Sequence, residues 1–193
     1  TILKREEFTR ASRWRRMKPI PAIGVIAALL WPGLPATAQD YVDLELVLAV
    51  DISRSMDFDE LRLQRQGYVD ALRHPEVVRA IESGPNGRIA VTYVEWAGPA
   101  HQSVLVPWTV VSNLGEAEAF AARVGAAPIG RQRGTSISEG LGFSAALFSS
   151  SGVRGLRRAI DVSGDGRETT FREWMVPPTH ARAQAIAKQI TVN

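Results

Sequence analysis

The sequence predicts an α/β fold with a mostly parallel sheet. Three observations predict it: short apolar segments alternate with helical patterns, the first apolar segment is of the kind that is buried on both faces of a parallel sheet, and one turn joins two β-rich segments directly. The chain has 193 residues, of which 45% are hydrophobic and 22% charged. It is therefore long enough to form the core of one globular domain.

The first strand and the first helix follow from two different patterns. Residues 44–50 read Leu-Glu-Leu-Val-Leu-Ala-Val, a short and nearly continuous apolar run, as expected for a strand that is covered on both sides. Apolar side chains then recur at helical spacing, and this helix ends or bends where His74 precedes a proline. The residues that share its apolar face are Phe58, Leu61, Tyr68 and Leu72.

The next two strands are predicted to form a hairpin. Residues 88–96 and 103–109 have strand-like sequences, and a Gly-Pro pair lies between them. We expect an antiparallel pair at one edge of the sheet. Trp96 and Trp108, one on each strand, are interpreted as packing residues, and the alternative is that they flank a ligand.

Two helices with similar start signals follow the hairpin. Asn113 with Glu116, and Ser136 with Glu139, have the spacing of capping boxes, so a helix is expected to begin at each pair. The second helix should extend to about Phe148, where a run of three serines and a glycine stops it.

The last predicted elements are a strand, a helix and the start of another strand. Residues 158–163 are a buried-strand candidate, and residues 179–189 form a helix. A further strand should begin near Ile190 and lie beside residues 158–163. The helix residues predicted to face inward are Ala181, Ala185 and Ile186.

Composition excludes several kinds of site. The chain has no cysteine and three histidines, which rules out disulfide scaffolds, thiol nucleophiles and cysteine-ligated metals and argues against a histidine-built metal site. Its formal charge of +3 is concentrated at the start, because residues 1–38 hold seven of the 23 basic and two of the 20 acidic residues. Residues 39–193 retain 16 basic and 18 acidic residues, a net charge of −2. The charge therefore gives no reason to expect a nucleic-acid partner.

The start of the chain has the pattern of an export signal. Residues 17–38 combine a basic start, an apolar stretch over residues 20–31 and small residues before Gln39. We expect cleavage before Gln39 and therefore a periplasmic or secreted protein. Only a molecule whose signal peptide stays uncleaved would contact the membrane. The alternatives are an uncleaved anchor or a buried core helix, and the four prolines of this region oppose a continuous helix. Residues 1–16 are interpreted as a spurious or disordered extension.

Three predicted loops place oxygen-bearing side chains at strand or helix ends. The first follows residue 50 and carries Asp51, Ser53 and Ser55, the second carries Thr135 before a helix, and the third carries Asp165 after a strand. Open α/β sheets bind ligands at this edge. Two carboxylates and three hydroxyls are hard donors, which suit Mg²⁺ or Mn²⁺ and neither zinc nor copper.

Each of these residues also has a simpler explanation when taken singly. Asp51 can cap the next helix, the two serines can be turn residues, Thr135 can precede a helix cap, and Asp165 can belong to a glycine-flanked turn. Asp161 is a competing carboxylate, but it lies inside a predicted strand. Taken together, the three loops favour the metal site.

At these residues the sequence resembles the von Willebrand factor A domain. Its metal-ion-dependent adhesion site is written Asp-x-Ser-x-Ser, then a distant Thr and a distant Asp, and Asp51, Ser53, Ser55, Thr135 and Asp165 match in that order. The resemblance extends over the chain from Val42 onward and is closest to exported bacterial proteins of this type without an assigned role. It implies a doubly wound sheet with Mg²⁺ at its top. It also implies a non-enzymatic adhesion module whose metal accepts an Asp or Glu carboxylate of a protein partner.

The sequence departs from the family pattern at two places. Gly164 is inserted before Asp165, where the family has a single small residue before Asp-Gly. The chain also stops where a fifth strand begins, at residues 188–193, whereas a complete domain would continue with further strands and helices. We therefore expect residues 39–193 to be a domain that lacks its last strands and helices.

Enzyme classes fit the sequence less well. A strand followed by Asp51 is also how haloacid-dehalogenase-like phosphatases begin, but these need a second Asp where Ser53 stands. There is no Gly-x-Ser-x-Gly elbow of a serine hydrolase. A glycine-rich stretch at residues 140–145 imitates a dinucleotide-binding loop, but it lies within a predicted helix. The phosphatase remains the alternative hypothesis.

Overall fold

A computed structural model of the chain describes residues 40–166, residue 169 and residues 176–193. The predicted N-terminal extension, the signal peptide of residues 17–38 and the mature start at Gln39 lie outside these described residues. Within the described ranges, no helix has both the length and the apolar character needed to cross a membrane.

The sheet has five strands, namely β1 (Tyr41–Asp51), β2 (Ile89–Trp96), β3 (Gln102–Val111), β4 (Arg154–Ser163) and β5 (Ile190–Val192). Their order across the sheet is β3-β2-β1-β4-β5. β1 pairs in parallel with β2 and β4, and β5 pairs in parallel with β4. β3 lies at one edge and pairs antiparallel with β2. The predicted α/β class, the mostly parallel sheet and the edge hairpin are therefore confirmed, as is the position of β5.

Helices cover both faces of the sheet. They are α1 (Phe58–Arg73), α2 (Pro75–Glu82), α3 (Leu114–Ala126), α4 (Ile137–Leu147) and α5 (Pro178–Ala187), with a 3₁₀ turn at Phe148–Ser150. Successive residues of β1 point to opposite faces, so Leu48 and Val50 pack with α1, α2 and α3, whereas Val47 and Ala49 pack with α4 and α5. β1 is thus buried on both sides, as its apolar run predicts, and each buried valine stabilises the fold by about 1.5–3 kcal/mol.

The chain turns from one helix into the next at His74. α1 ends just before this residue, as predicted, but a second helix begins immediately with Pro75, which the sequence analysis did not predict. Proline fits the first helical position because the N–H it lacks would have no partner there. His74 caps the new helix, since its Nδ1 accepts a 3.3 Å hydrogen bond from the Glu76 N–H.

Two residues predicted to face inward are exposed. Phe58 is 49% exposed, and the Arg131 guanidinium lies 5.7 Å from the centre of its ring. Ile186 is 54% exposed, while Ala181 and Ala185 are buried as predicted. Because residue 186 lies about 100° around the helix axis from residue 185, it points away from the buried stripe.

The helix starts agree with prediction better than the capping bonds do. Asn113 accepts a 3.0 Å hydrogen bond from the Glu116 N–H, but the Glu116 carboxylate bonds to Ser112 rather than completing the box. α4 begins after Ser136, yet the Ser136 side chain makes no cap bond. The complete capping box of the described chain belongs to α1, where Asp57 and Glu60 exchange hydrogen bonds.

Three parallel strands end at one edge of the sheet. Asp51 ends β1 and pairs with Trp96, which ends β2, while Ser163 ends β4. The start of α4 is held at the same edge, because the Ser136 N–H donates a 2.8 Å hydrogen bond to the Ala97 carbonyl. All three loops singled out in the sequence therefore meet at this edge.

Candidate metal centre

The loop after β1 folds back onto the carboxylate of Asp51. The Ser53 N–H donates to Asp51 Oδ1 at 2.7 Å, and the Ser53 hydroxyl donates to Oδ2 at 3.0 Å. Both residues are buried. The loop is fixed from the other side by the Gln132 N–H, which donates to the Ile52 carbonyl at 2.8 Å. Asp51 and Ser53 therefore form a rigid pair at the centre of the sheet edge.

Hydrogen bonds continue from this pair to the loop after β4. The hydroxyls of Ser53 and Ser55 are 2.7 Å apart, and the Ser55 hydroxyl donates to Asp165 Oδ1 at 2.7 Å. Four of the five predicted ligands are thus joined in one chain of oxygen atoms, which runs from the buried Asp51 to the exposed Asp165.

Thr135 lies beside the same chain of oxygen atoms. A Cβ added at Gly166 would be 3.6 Å from Ser55 Oγ and 3.7 Å from Thr135 Oγ1, so this glycine passes close to both hydroxyls. The Thr135 N–H donates to Thr169 Oγ1, and the Thr169 N–H donates back to the Thr135 carbonyl, each at 3.0 Å. The structure therefore brings all five predicted residues to one place. That they hold a metal ion remains a prediction.

Gly164 fits the close approach of the two carboxylate-bearing loops. A Cβ at this position would lie 3.0 Å from Asp51 Oδ2 and 3.1 Å from Asp51 Cβ, closer than most real Cβ contacts. The extra residue that departs from the family pattern is thus a glycine packed directly on Asp51. It does not remove Asp165 from the cluster, because Asp165 still reaches Ser55.

The electrostatics of the cluster favour a cation. Burial raises the pKa of Asp51 above its ordinary value, the hydrogen bonds from Ser53 act in the opposite direction, and the nearby Asp165 carboxylate raises the pKa further. Among the described residues, neither aspartate forms an ion pair with a basic side chain. A positive charge placed here would relieve both the burial of Asp51 and its repulsion by Asp165.

The donor set fits a hard cation held largely by hydroxyls. No group of three or more His, Asp or Glu side chains in the described part of the chain could hold a metal ion. A site here would instead combine two carboxylates with three hydroxyls, which are the oxygen donors that Mg²⁺ and Mn²⁺ prefer. The residues present therefore fit the ion that the sequence predicts.

Arg131 fixes the loop after β1, and the sequence analysis did not identify it as part of the site. Its Nε donates to the Met56 carbonyl at 2.7 Å and its Nη2 to the Arg54 carbonyl at 2.8 Å. It thereby ties the segment that precedes Thr135 to the loop that carries the two serines. The arginine-rich sequence around residue 131 was the available signal.

A buried ion pair contacts the segment that leads to Thr135, and no sequence pattern predicted this pair. Arg65 on α1 bonds to Glu95 on β2, and each side chain is only 6% exposed. Arg65 also donates to the carbonyls of Ala127 and Pro128, which lie at the start of the segment that leads to Thr135. Although burial raises the pKa of Glu95, the Arg65 charge opposes this increase.

The tryptophans and the competing aspartate have structural roles. Trp96 is buried beneath the site, where Gly140 packs directly on its indole. Trp108 packs against Phe148 and donates to a backbone carbonyl, so the packing interpretation is confirmed. Asp161 accepts a 3.2 Å hydrogen bond from the Tyr68 hydroxyl and is not part of the cluster.

A family model matches most of the chain. Residues 41–193 match the model of a family described as "Protein of unknown function (DUF1194)". A comparison with curated proteins found no match.

Solved structures with a similar fold come from a mussel and a bacterium. Proximal thread matrix protein 1 from the mussel byssus is 16% identical over 80% of this chain and 37% of that chain, with a TM-score of 0.61. A second structure of the same mussel protein has a zinc-occupied MIDAS motif, the metal-ion-dependent adhesion site. It is 18% identical over 80% of this chain and 38% of that chain, with a TM-score of 0.59. The third structure is an aerotolerance-related membrane protein from Bacteroides fragilis NCTC 9343 with multiple mutations to serines. It is 22% identical over 78% of this chain and 65% of that chain, with a TM-score of 0.51.

These likenesses establish the fold. The chain spans less than two fifths of the mussel protein and 65% of the bacterial one. At such low sequence identities, what this chain shares with these proteins is the fold. It is a von Willebrand factor A/Rossmann-like α/β fold with helices on both faces of the sheet.

Proposed function

The chain belongs to the family described as "Protein of unknown function (DUF1194)". From the geometry of the sheet edge and the sequence of residues 17–38, we propose that its domain is an exported protein-binding module. In this proposal a divalent cation, Mg²⁺ or Mn²⁺, is held at the carboxyl ends of β1 and β4, and a protein partner binds through it with an Asp or Glu side chain. The module binds its partner and does not transform it.

One observation carries the proposal. The side-chain oxygens of Asp51, Ser53, Ser55 and Asp165 follow one another at distances of 2.7 to 3.0 Å, with Thr135 next to them. These residues come from three loops that are far apart in the sequence. Oxygen atoms brought so close together are suited to share one small cation.

The proposed ligands are of two kinds, charged carboxylates and neutral hydroxyls. Asp51 and Asp165 would neutralise the ion, and the hydroxyls of Ser53, Ser55 and Thr135 would complete part of its coordination. When bound, the ion supplies a Lewis-acidic position that can accept a further carboxylate oxygen. A neutral hydroxyl withdraws less of the ion's charge than a carboxylate does, so an acidic partner is favoured.

The burial of Asp51 supports binding over catalysis. A phosphatase would use this carboxylate as a nucleophile, yet it is 0% exposed and accepts two hydrogen bonds from Ser53. The three loops also contain no histidine or lysine that could act as a base. These features of the site fit a binding module better than a phosphatase.

A solved structure with a similar fold supports the proposal of a metal ion. One of the mussel structures has a zinc-occupied MIDAS motif, and MIDAS is the motif that Asp51, Ser53 and Ser55 match in sequence. For this chain we propose Mg²⁺ or Mn²⁺, because every proposed ligand is a hard oxygen donor.

Export is proposed from the sequence of residues 17–38, which has the pattern of a signal peptide with cleavage before Gln39. The domain would then meet its partner in the periplasm or outside the cell. N-terminal sequencing of the protein isolated from the cell envelope should give Gln39 as the first residue, and an intact segment from Met17 onward would contradict cleavage.

Calorimetric titration tests the metal site. We expect the full chain to bind Mg²⁺ or Mn²⁺ and the isosteric Asp51→Asn variant to bind neither, because the buried carboxylate has no charged substitute. The matched control is Asp161→Asn, which removes a carboxylate from β4 outside the cluster and should leave the affinity unchanged. Equal metal affinity in the wild type and in a folded Asp51→Asn variant would contradict the proposal.

Capture of a partner tests the function. The full chain, immobilised and incubated with envelope extract, should retain a protein in Mg²⁺ and release it in chelator, and Asp51→Asn should retain none. Hydrolysis of a generic phosphate ester that is lost in Asp51→Asn would favour the phosphatase instead.

A further inference from the structure

Two loops of the candidate metal centre carry an exposed arginine beside their proposed ligands. Arg54 stands between Ser53 and Ser55, and Arg133 stands two residues before Thr135. Both arginines are exposed. Each loop that supplies hydroxyls to the site therefore also carries a cationic side chain at its surface, and we call Arg54 and Arg133 the rim arginines.

The rim arginines are free to meet a partner. Among the described residues, neither forms an ion pair or a side-chain hydrogen bond, whereas Arg62, Arg65, Arg88 and Arg158 all pair with carboxylates. Arg131, which lies nearby, differs from them because its guanidinium is held by two backbone carbonyls. Its charge also acts on Asp57, whose pKa is lowered chiefly by hydrogen bonds from the N–H groups of Glu60 and Asp59.

This positive rim is a local feature. Residues 39–193 carry a net charge of −2, so an average surface of the domain is slightly acidic. At the site, the two charges of a divalent ion would balance those of Asp51 and Asp165. The charge that remains at the rim would then be that of Arg54 and Arg133.

We propose that the rim arginines select a partner segment that carries at least one more acidic side chain beside the carboxylate that reaches the metal. This inference rests on the proposed function and adds the charge pattern of the partner. Guanidinium groups bind carboxylates with two parallel hydrogen bonds, and exposed charges around a binding site also accelerate the encounter with an oppositely charged partner.

Two short fluorescent peptides test the inference with the full chain in Mg²⁺. One has a single acid, Gly-Ser-Asp-Ser-Gly, and the other has acids on both sides, Gly-Glu-Asp-Glu-Gly. We expect the second to bind about tenfold more tightly by fluorescence anisotropy, and this advantage to decrease as salt screens the rim. In the Arg54→Gln/Arg133→Gln variant the two peptides should bind almost equally. The charge-matched control, Arg73→Gln/Arg79→Gln, removes two exposed arginines from the opposite end of α1 and from α2 and should retain the advantage.

The outcomes separate the two proposals. Equal affinity of the wild type for both peptides, or an advantage that survives the loss of both rim arginines, would overturn the inference while metal-dependent binding stands. Binding of the acidic peptide that persists in chelator and in Asp51→Asn but requires the rim arginines would refute metal capture and keep the rim arginines as a surface that binds acidic segments. Equally tight binding of a single-stranded oligonucleotide of the same charge would show that the rim selects polyanions in general and would overturn the inference.

Discussion

The Ser55 hydroxyl donates a 2.7 Å hydrogen bond to Oδ1 of Asp165, a residue 110 positions further along the chain. This contact joins the loop after β1 to the loop after β4 and closes the group of candidate ligands.

Removing the Ser55 hydroxyl should weaken metal binding. Ser55→Ala deletes one proposed ligand and the hydrogen bond that orients Asp165, so we expect the affinity for Mg²⁺ to fall by roughly 10–100-fold. Calorimetric titration measures this directly. Ser83→Ala, which removes a hydroxyl just after α2, should bind Mg²⁺ as the wild type does, and a Ser55→Ala affinity equal to this control would contradict the proposed role of Ser55.

Adding a methyl group at residue 164 should disturb Asp51. In Gly164→Ala the new Cβ would lie 3.0 Å from Asp51 Oδ2, so the strand end must shift, and we expect a loss of about 1–3 kcal/mol in unfolding free energy together with weaker Mg²⁺ binding. The matched substitution is Gly142→Ala in α4, where a Cβ meets no atom within 4 Å. That variant should be neutral or gain about 0.5–1 kcal/mol, and urea denaturation of the pair checks both expectations.

Breaking the Arg65–Glu95 ion pair should destabilise the fold in a pH-dependent way. Arg65→Met leaves the buried Glu95 carboxylate without its counter-charge, a change that costs about 3–5 kcal/mol for pairs of this kind. Burial already raises the pKa of Glu95 despite the opposing Arg65 charge, and the variant lacks that opposition. The folded variant therefore holds a proton on Glu95 at pH values where the unfolded chain, with a pKa of about 4.3, has lost it.

The sign of this dependence gives the test. An acid with a raised folded pKa stabilises the fold at low pH, and this stabilisation is lost as pH rises from the unfolded value to the folded value. Urea denaturation of Arg65→Met should show a smaller deficit at pH 5 than at pH 8. Adding Glu95→Gln should restore part of the stability at pH 8 and remove this pH dependence. A deficit that is the same at both pH values would be inconsistent with an unpaired Glu95.

Tyr68 should make the fold sensitive to alkali. Burial raises its pKa to about 12, and the Asp161 carboxylate that its hydroxyl contacts adds to the increase. An unfolded tyrosine ionises near pH 10, so between about pH 10 and 12 the unfolded chain loses a proton that the folded chain keeps, and the stability falls as the pH rises.

The matched variant is Tyr68→Phe. It should lose about 1 kcal/mol at neutral pH with its hydrogen bond but decline less steeply between pH 9 and 12. Thermal melts over this range decide the matter, and an unchanged decline in Tyr68→Phe would assign the alkaline sensitivity to other groups, such as the buried Tyr93, whose pKa burial also raises.

The parts of the fold that the sequence predicted are those encoded by short-range patterns. The apolar run over residues 44–50 indicates a strand buried on both faces, and a strand end followed by Asp-x-Ser-x-Ser places Asp51, Ser53 and Ser55 at the top of the sheet. The positions of Thr135 and Asp165 followed in the same way, because each lies next to an element boundary. Local pattern and topology together thus predicted the membership of the cluster.

The parts that were missed depend on contacts between distant residues or on signals with two meanings. His74-Pro75 can end one helix or begin another, and here it does both. The pairing of Arg65 with Glu95 joins residues 30 positions apart on different elements, so no spacing rule indicates it. Likewise, Ser136 has the spacing of a capping box, but its side chain makes no cap bond.

The proposed ligands also differ in how firmly the protein holds them. Asp51 ends the middle strand of the sheet and is 0% exposed, whereas Asp165 is exposed and its carboxylate has one hydrogen bond among the described residues, the one from Ser55. Release of an ion should therefore begin with the detachment of Asp165, while Asp51 and Ser53 keep their positions for the next ion. Exchange would then need no unfolding of the strand, and a partner that covers Asp165 would lengthen the residence time of the ion.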